Sequence, residues 1–172
     1  MKLKDKKKGL VFWITGLSGS GKSTLGKNIK SYVQKKYGPT ILIHGDDVRS
    51  LFNFKKYTYK ERLNLGLQYS DLCNFISKQN INVIFTVVGL FHKVQNYNKK
   101  RIKNYIEIYI KTDIKRLKLK SKKKHYNKKI KNVWGVDIKP ELPKKPKIII
   151  KNNFNRSIKR LSKELITKLD NL

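Results

Sequence analysis

Short apolar runs alternate along the chain with stretches in which apolar residues return every three to four positions. Five runs are β-branched or aromatic almost throughout: Leu10–Thr15, Thr40–His44, Asn82–Val88, Tyr105–Lys111 and Lys147–Lys151. Such runs are expected of strands covered on both faces. Between them the helical period predicts helices at about Ser23–Lys36, Lys60–Lys78, Asn96–Lys103, Asp113–Lys123 and Ser157–Leu169. The last carries Ile158, Leu161, Leu165 and Leu169 on one stripe, with lysines opposite. The alternation predicts an α/β protein, a parallel sheet of about five strands flanked by helices on both faces.

Repeats and low-complexity linkers are absent, so a single domain over residues 1–172 is expected. Two stretches lack a clean period. Asn53–Tyr59 is aromatic and basic, and Lys120–Pro146 joins a lysine cluster to VWGVDIKPELPKKP. A loop as long as 120–146 is expected to act as a functional lid.

Composition changes the picture at one point. The chain has 42 Lys+Arg against 11 Asp+Glu, a formal net charge of +31, with 38% hydrophobic residues to support a folded core. Such charge points first to nucleic acid or an anionic membrane. The basic residues, however, are 36 Lys and 6 Arg, Ala is absent, and Ile, Asn and Tyr are abundant. That is the signature of A/T-rich codons, and arginine, which makes the bidentate phosphate and guanine contacts, is scarce. Nucleic acid is therefore not the expected partner. Cys73 is the sole cysteine, which excludes an intramolecular disulfide and fits a small core residue. The basic N-terminus and GLVFWITGL imitate a signal peptide, but the run ends in Gly/Ser/Lys without a small-residue cleavage site. No run reaches the ~20 apolar residues of a membrane span, so no membrane partner and a cytoplasmic location are expected.

The sharpest chemical signal is Gly16-Leu-Ser-Gly-Ser-Gly21-Lys22-Ser23-Thr24, a match to G-x-x-x-x-G-K-[ST] between an apolar strand and an amphipathic helix. Glycines let backbone N–H groups curl round a phosphate, and the following helix adds its positive end. Gly16, Ser18, Gly19, Ser20, Gly21, Lys22, Ser23 and Thr24 are thus candidates to hold ATP. Lys22 would reach the β/γ-phosphates, and the Ser23 hydroxyl would ligate Mg²⁺. The loop alone leaves ATPase, GTPase and small-molecule kinase open. No guanine-reading N-K-x-D occurs, and a small kinase is the natural reading of so short a chain.

The second predicted strand ends in ILIHGDDVRSLF. Ligands of open α/β sheets bind beyond the carboxyl ends of the strands, so Asp46, Asp47 and Arg49 would face the phosphate loop. A carboxylate there can orient an acceptor hydroxyl and take its proton, and an arginine can clamp an anion. The alternative is that one of the two acids caps a helix starting near Val48. Asp46 is the candidate for chemistry.

GLSGSGKST, GDDVR, FHKVQNYNKKRIKNYIEIYI and GVDIKPELPKKPKIII, in that order, resemble the adenylylsulfate (APS) kinase family over nearly the whole chain. The family pattern has a P-loop, D-G-D-N-[IV]-R, an E-[VI]-Y strand and G-[IV]-D-x-x-x-E-x-P-x-x-P. The resemblance implies a P-loop kinase that uses Mg-ATP to phosphorylate the ribose 3′-hydroxyl of a nucleotide, usually as a homodimer. It gives Asp46 the catalytic carboxylate, Arg49 and Arg62 the acceptor nucleotide, and Lys123 the neutralisation of developing charge. It also places Phe91, His92, Tyr126 and Trp134 at the substrates. His92 is equally readable as a loop histidine, and Trp134 as a base-stacking surface or as core.

The departures from the pattern are informative. His44 stands for the first acid of D-G-D, and reads better as a strand-end histidine than as a ligand. Leu65 stands at a polar acceptor-binding position. R-D-x-K-G-L-Y becomes Lys120–Tyr126, keeping Lys123 and Tyr126, and Val133 stands at the stacking aromatic. Catalytic parts are kept while acceptor-reading parts change, which implies a changed acceptor. A branch of the family in capsule biosynthesis acts on cytidine 5′-diphosphoramidate, and that acceptor is the expectation. A true adenylylsulfate kinase is the alternative. The reading from another class is a nucleic-acid-binding module using Lys115–Lys131, where 10 of 17 residues are basic.

Overall fold

The computed structural model describes residues 8–54, 58–120, 134 and 138–172. Among these, five strands and six helices alternate: β1 (Val11–Gly16), α1 (Lys22–Tyr37), β2 (Thr40–His44), α2 (Gly45–Leu51), α3 (Tyr59–Lys78), β3 (Asn82–Val87), α4 (His92–Arg101), β4 (Tyr105–Lys111), α5 (Ile114–Lys120), β5 (Ile148–Lys151) and α6 (Ile158–Asp170). The strands form one sheet in the order β2-β3-β1-β4-β5, and every pairing is parallel. This is the α/β architecture expected from the alternation.

Successive side chains of a strand point to opposite faces, so β1 divides its residues between two cores. Phe12 and Ile14 meet Leu25, Ile29 and Val33 of α1 and Leu161, Leu165 and Leu169 of α6. Val11 and Trp13 meet Leu65, Tyr69 and Cys73 of α3, Val94 of α4 and Leu117 of α5. Cys73 is buried there, and burial pushes its thiol pKa up, as befits a packing residue. The central strands are buried on both faces as expected. The edge strands depart from that expectation: β2 is only partly covered and β5 alternates buried with exposed, because each has a neighbour on one side alone.

Element ends are set by local chemistry. Thr58 caps α3 in a reciprocal capping box with Glu61, so the ill-defined stretch Asn53–Tyr59 ends in a helix start. Ser157 caps α6, and Asp113 Oδ1 accepts from the Lys115 and Arg116 amides at 2.7 and 3.1 Å at the start of α5. Among the described residues no helix is long and apolar enough to cross a membrane.

Candidate active site

β1 runs directly into the phosphate loop, whose turn depends on glycine. Gly19 and Gly21 have φ of 80° and 97°, the left-handed region that side chains disfavour. At Gly16 space also decides, since a Cβ would stand 2.7 Å from the Ile110 carbonyl oxygen of β4. Leu17 anchors the loop in the apolar core, and the Ser20 amide donates to the Leu17 carbonyl at 3.2 Å. Lys22 is 8% exposed, and its Nζ donates to the same carbonyl at 2.8 Å, so the ammonium lies folded back along the loop. Ser23 and Thr24 are exposed in the first turn of α1, which holds no acidic residue. A glycine-shaped loop, a lysine and an uncompensated helix N-terminus form a site for a polyphosphate.

The facing wall comes from β2 and α2. His44 is indeed a strand-end residue, with Nδ1 2.7 Å from Thr86 Oγ1 of β3, and it takes the N-cap position of α2. Neither acid is therefore the cap: Asp46 and Asp47 lie in the first turn, both exposed, with Arg49 half-buried in the last. The helix itself starts earlier than the expected Val48. Gly45 is buried, and the Tyr69 hydroxyl of α3 donates to its carbonyl at 2.8 Å. Thr15 Oγ1 at the end of β1 donates to the Val88 carbonyl beyond β3 at 2.5 Å. The carboxyl ends of β1, β2 and β3, adjacent in the sheet, thus bring the phosphate loop and Asp46, Asp47 and Arg49 to the same edge.

A third wall rises from the heads of α3 and α4. Arg62 sits half-buried one turn into α3. Glu141, a position within the quoted motif to which the sequence assigned no role, fastens this region. Its Oε1 accepts from the Tyr59 hydroxyl at 2.8 Å and its Oε2 from the His92 amide at 2.6 Å. Its own amide donates to the Leu90 carbonyl at 3.1 Å, and its carbonyl accepts from Gln95 Nε2 at 2.9 Å. The bond to the carboxylate raises the Tyr59 hydroxyl pKa.

Several sequence-predicted residues acquire definite places. His92 has both ring nitrogens turned to this segment, Nε2 2.9 Å from the Leu142 carbonyl and Nδ1 3.7 Å from Glu141 Oε2, so it serves the clasp more than a loop. The choice left open for Trp134 falls to the core. It is 5% exposed and its ring stands nearly perpendicular to that of Phe91 with centroids 4.8 Å apart, while Phe91 is 2% exposed and makes a second T-shaped pair with Tyr59 at 5.1 Å. Both rings are thus almost wholly buried. Leu65 is likewise buried, in the α3 core. Lys123, Tyr126 and Val133 lie outside the described residues.

Beneath this wall β4 carries Glu107, which is almost wholly buried. Lys99 Nζ of α4 stands 3.3 Å from Oε2 without hydrogen-bond geometry, and the Tyr105 hydroxyl is 3.5 Å from Oε1. Burial pushes the carboxyl above its ordinary range, against the pull of Lys99.

Sheet order, phosphate loop and facing acids together define a P-loop kinase fold. An adenylylsulfate kinase from Mycobacterium tuberculosis, solved in complex with AMPPNP and APS, superposes with a TM-score of 0.84 at 22% identity, covering 95% of this chain and 98% of that one. The sequence profile of the family described as adenylylsulphate kinase matches residues 8–151. The chain belongs to that family and is a nucleotide-kinase-type phosphotransferase. A cytidine diphosphoramidate kinase of Campylobacter jejuni is 33% identical over 162 residues, 90% of this chain and 95% of that one. An adenylyl-sulfate kinase of Clostridium acetobutylicum is 32% identical over 154 residues, 84% of this chain and 76% of its own length.

Proposed function

We propose that the chain transfers the γ-phosphoryl group of ATP, with Mg²⁺, to the ribose 3′-hydroxyl of cytidine 5′-diphosphoramidate. The observation that carries the acceptor reading is the similarity to the Campylobacter kinase along nearly the full length of both chains. Leu65 agrees with it. At the position to which the family resemblance gives a polar acceptor contact, Leu65 offers a buried, apolar side chain with no hydrogen-bonding group of its own.

The loop residues fit a metal-bound polyphosphate. Glycine dihedrals open the turn, Lys22 is held at its rim, and Ser23 is exposed at the helix start. Among the described residues no group of three or more His, Cys, Asp or Glu side chains could hold a metal ion. A Mg²⁺ ion bound with ATP would take one or two protein oxygens, here the Ser23 hydroxyl, together with phosphate and water. Bound Mg-ATP supplies the phosphoryl group and a cation that shares its charge. With Mg-ATP bound, Lys22 would exchange the Leu17 carbonyl for phosphate oxygens, the amides from Gly19 to Thr24 would hold the β-phosphate, and the Ser23 hydroxyl would ligate the cation. Asp46 orients the acceptor hydroxyl and accepts its proton as the new O–P bond forms and the bond to the ADP oxygen breaks. Arg49 and Arg62 hold the anionic acceptor, and Lys123 is assigned by family resemblance to the developing charge. Catalysis of this kind rests on positioning and electrostatics.

A coupled ADP-release assay with the cytidine compound and with adenylylsulfate, each as sole acceptor, tests the reading. Turnover of the cytidine compound is expected. Efficient turnover of adenylylsulfate alone would establish the second reading, a kinase making 3′-phosphoadenylylsulfate, which the similarity to the Clostridium enzyme favours. A homodimer is proposed on family grounds, and light scattering on the purified chain tests it.

A further inference from the structure

The phosphate loop is held from outside by a residue with no place in its motif. β5 ends at Lys151, and the next residue, Asn152, is 5% exposed. Its Nδ2 donates to the Ser20 carbonyl at 3.0 Å, in the middle of the loop. Its Oδ1 accepts from the Phe154 amide at 3.1 Å, and its own amide donates to the Lys111 carbonyl of β4 at 2.9 Å. Both ends of the side-chain amide are therefore used, one on the loop and one on the turn leading to α6. Phe154 has φ of 60°, an uncommon value for a bulky residue, so the turn that Oδ1 holds is not one the chain adopts freely. Gly21 leaves room for the same amide: a Cβ there would come within 3.3 Å of Asn152 Nδ2.

The peptide between Ser20 and Gly21 is planar and trans, so its carbonyl and its N–H point in opposite directions. Tying the Ser20 carbonyl to Asn152 thereby aims the Gly21 N–H away from β5. Gly21 is the N-cap of α1, and its N–H belongs to the set that meets an anion at this helix start.

We infer that Asn152 is a positioning residue for nucleotide binding, which acts through the Ser20–Gly21 peptide to aim the Gly21 amide at a phosphate group and does not itself touch the ligand. The inference rests on the reading of this loop as the ATP site, and not on the identity of the acceptor. Aspartate at 152 would keep the acceptor for Phe154 but set a carboxylate oxygen against the Ser20 carbonyl, and would add negative charge beside the phosphates. Alanine would remove both bonds.

The experiment is calorimetric titration of wild type, Asn152→Asp and Asn152→Ala with Mg-ADP alone, after thermal unfolding has established which variants are folded. KM for ATP and for the acceptor follow. With one aiming bond lost, the Mg-ADP dissociation constant is expected to rise about tenfold in Asn152→Ala, and further in Asn152→Asp. KM for ATP should rise in parallel, with KM for the acceptor unchanged within about twofold. Wild-type Mg-ADP affinity in a folded variant, or an equal rise in both KM values, overturns the inference. The near-isosteric aspartate decides should alanine fail to fold. The titration needs no acceptor, so a mistaken acceptor leaves its outcome readable, whereas a wild-type protein that binds no Mg-ADP overturns the ATP site and this inference together.

Discussion

The hydroxyl of Tyr69 donates to the carbonyl of Gly45 at 2.8 Å, across 24 positions of sequence, and holds the residue immediately before Asp46. The bond is buried, and a Cβ at Gly45 would stand 3.2 Å from Val87 and 3.3 Å from the Tyr69 ring. The first turn of α2 is thus fixed by a side chain of α3. Tyr69→Phe keeps the ring and removes this second bond to a carbonyl that still accepts within α2, so stability should fall by about 0.5–1.5 kcal/mol. With Asp46 less well aimed, kcat should fall while KM for ATP holds. Denaturant unfolding and steady-state kinetics check both, and an unchanged kcat in the folded variant would detach Tyr69 from the catalytic carboxylate.

Lys22→Ala removes a side-chain cation that lies on the phosphate loop. The turnover number should fall by about 10²–10³-fold, the usual loss on removing a single transition-state donor. The fold should persist, because its Nζ bonds the Leu17 carbonyl at the loop rim and does not support the core. Single-turnover phosphotransfer with circular dichroism of the variant measures the two effects separately.

Asp46→Asn and Asp47→Asn distinguish two neighbouring exposed acids. As the acceptor's proton partner, Asp46 should cost about 10²–10⁴-fold in kcat when amidated. Asp47 should cost much less, its chief role being to offset the positive end of α2. Equal losses in the two variants, or near-normal activity of Asp46→Asn, would remove Asp46 from the chemistry.

Glu107 makes stability depend on pH in a set direction. Burial raises its folded-state pKa above the unfolded value, so the folded protein holds a proton that the unfolded chain releases. Its contribution is favourable at low pH and is lost as pH rises from the ordinary carboxylate range through the raised value. Glu107→Gln lacks that loss. The difference in melting temperature, variant minus wild type, should therefore grow from acid toward neutral pH, and a flat difference would contradict the buried-acid account.

The Glu141 clasp joins Tyr59 at the head of α3 to His92 at the head of α4. Glu141→Gln cannot accept from both donors without turning an amide toward one of them. It should lose about 1 kcal/mol of stability and raise KM for the acceptor more than KM for ATP. Tyr59→Phe should show the same pattern more weakly. Kinetics with each substrate varied in turn would reveal the contrast.

Most of the fold was legible in the sequence. β2 and β4 fall on the predicted residues, β1, β3 and β5 within one, because β-branched runs between polar turns carry that information locally. The partial exposure of β2 was not legible, since edge position depends on strand order and not on strand composition. α2 was glimpsed only as a cap near Val48, for a helix of seven residues offers two turns of period at most. α4 was expected at Asn96–Lys103 and begins at His92, because a carboxylate 49 residues away satisfies its first amide. The start of α3 did have a local signal, Thr58 followed by Glu61 at capping-box spacing.

The sequence by itself determined the phosphate loop, the acids after β2 and the alternation that builds a parallel sheet, since each is a property of contiguous residues. Only the tertiary structure decided what holds those parts in place. Tyr69 on Gly45, Glu141 on His92 and Asn152 on Ser20 span 24, 49 and 132 positions. A buried carbonyl or amide must find its partner wherever folding brings one, and neither periodicity nor motif spacing records which distant residue that is. The contact between Trp134 and Phe91 was hidden in the same way: an aromatic residue reads alike as core or as ligand surface until the packing around it is known.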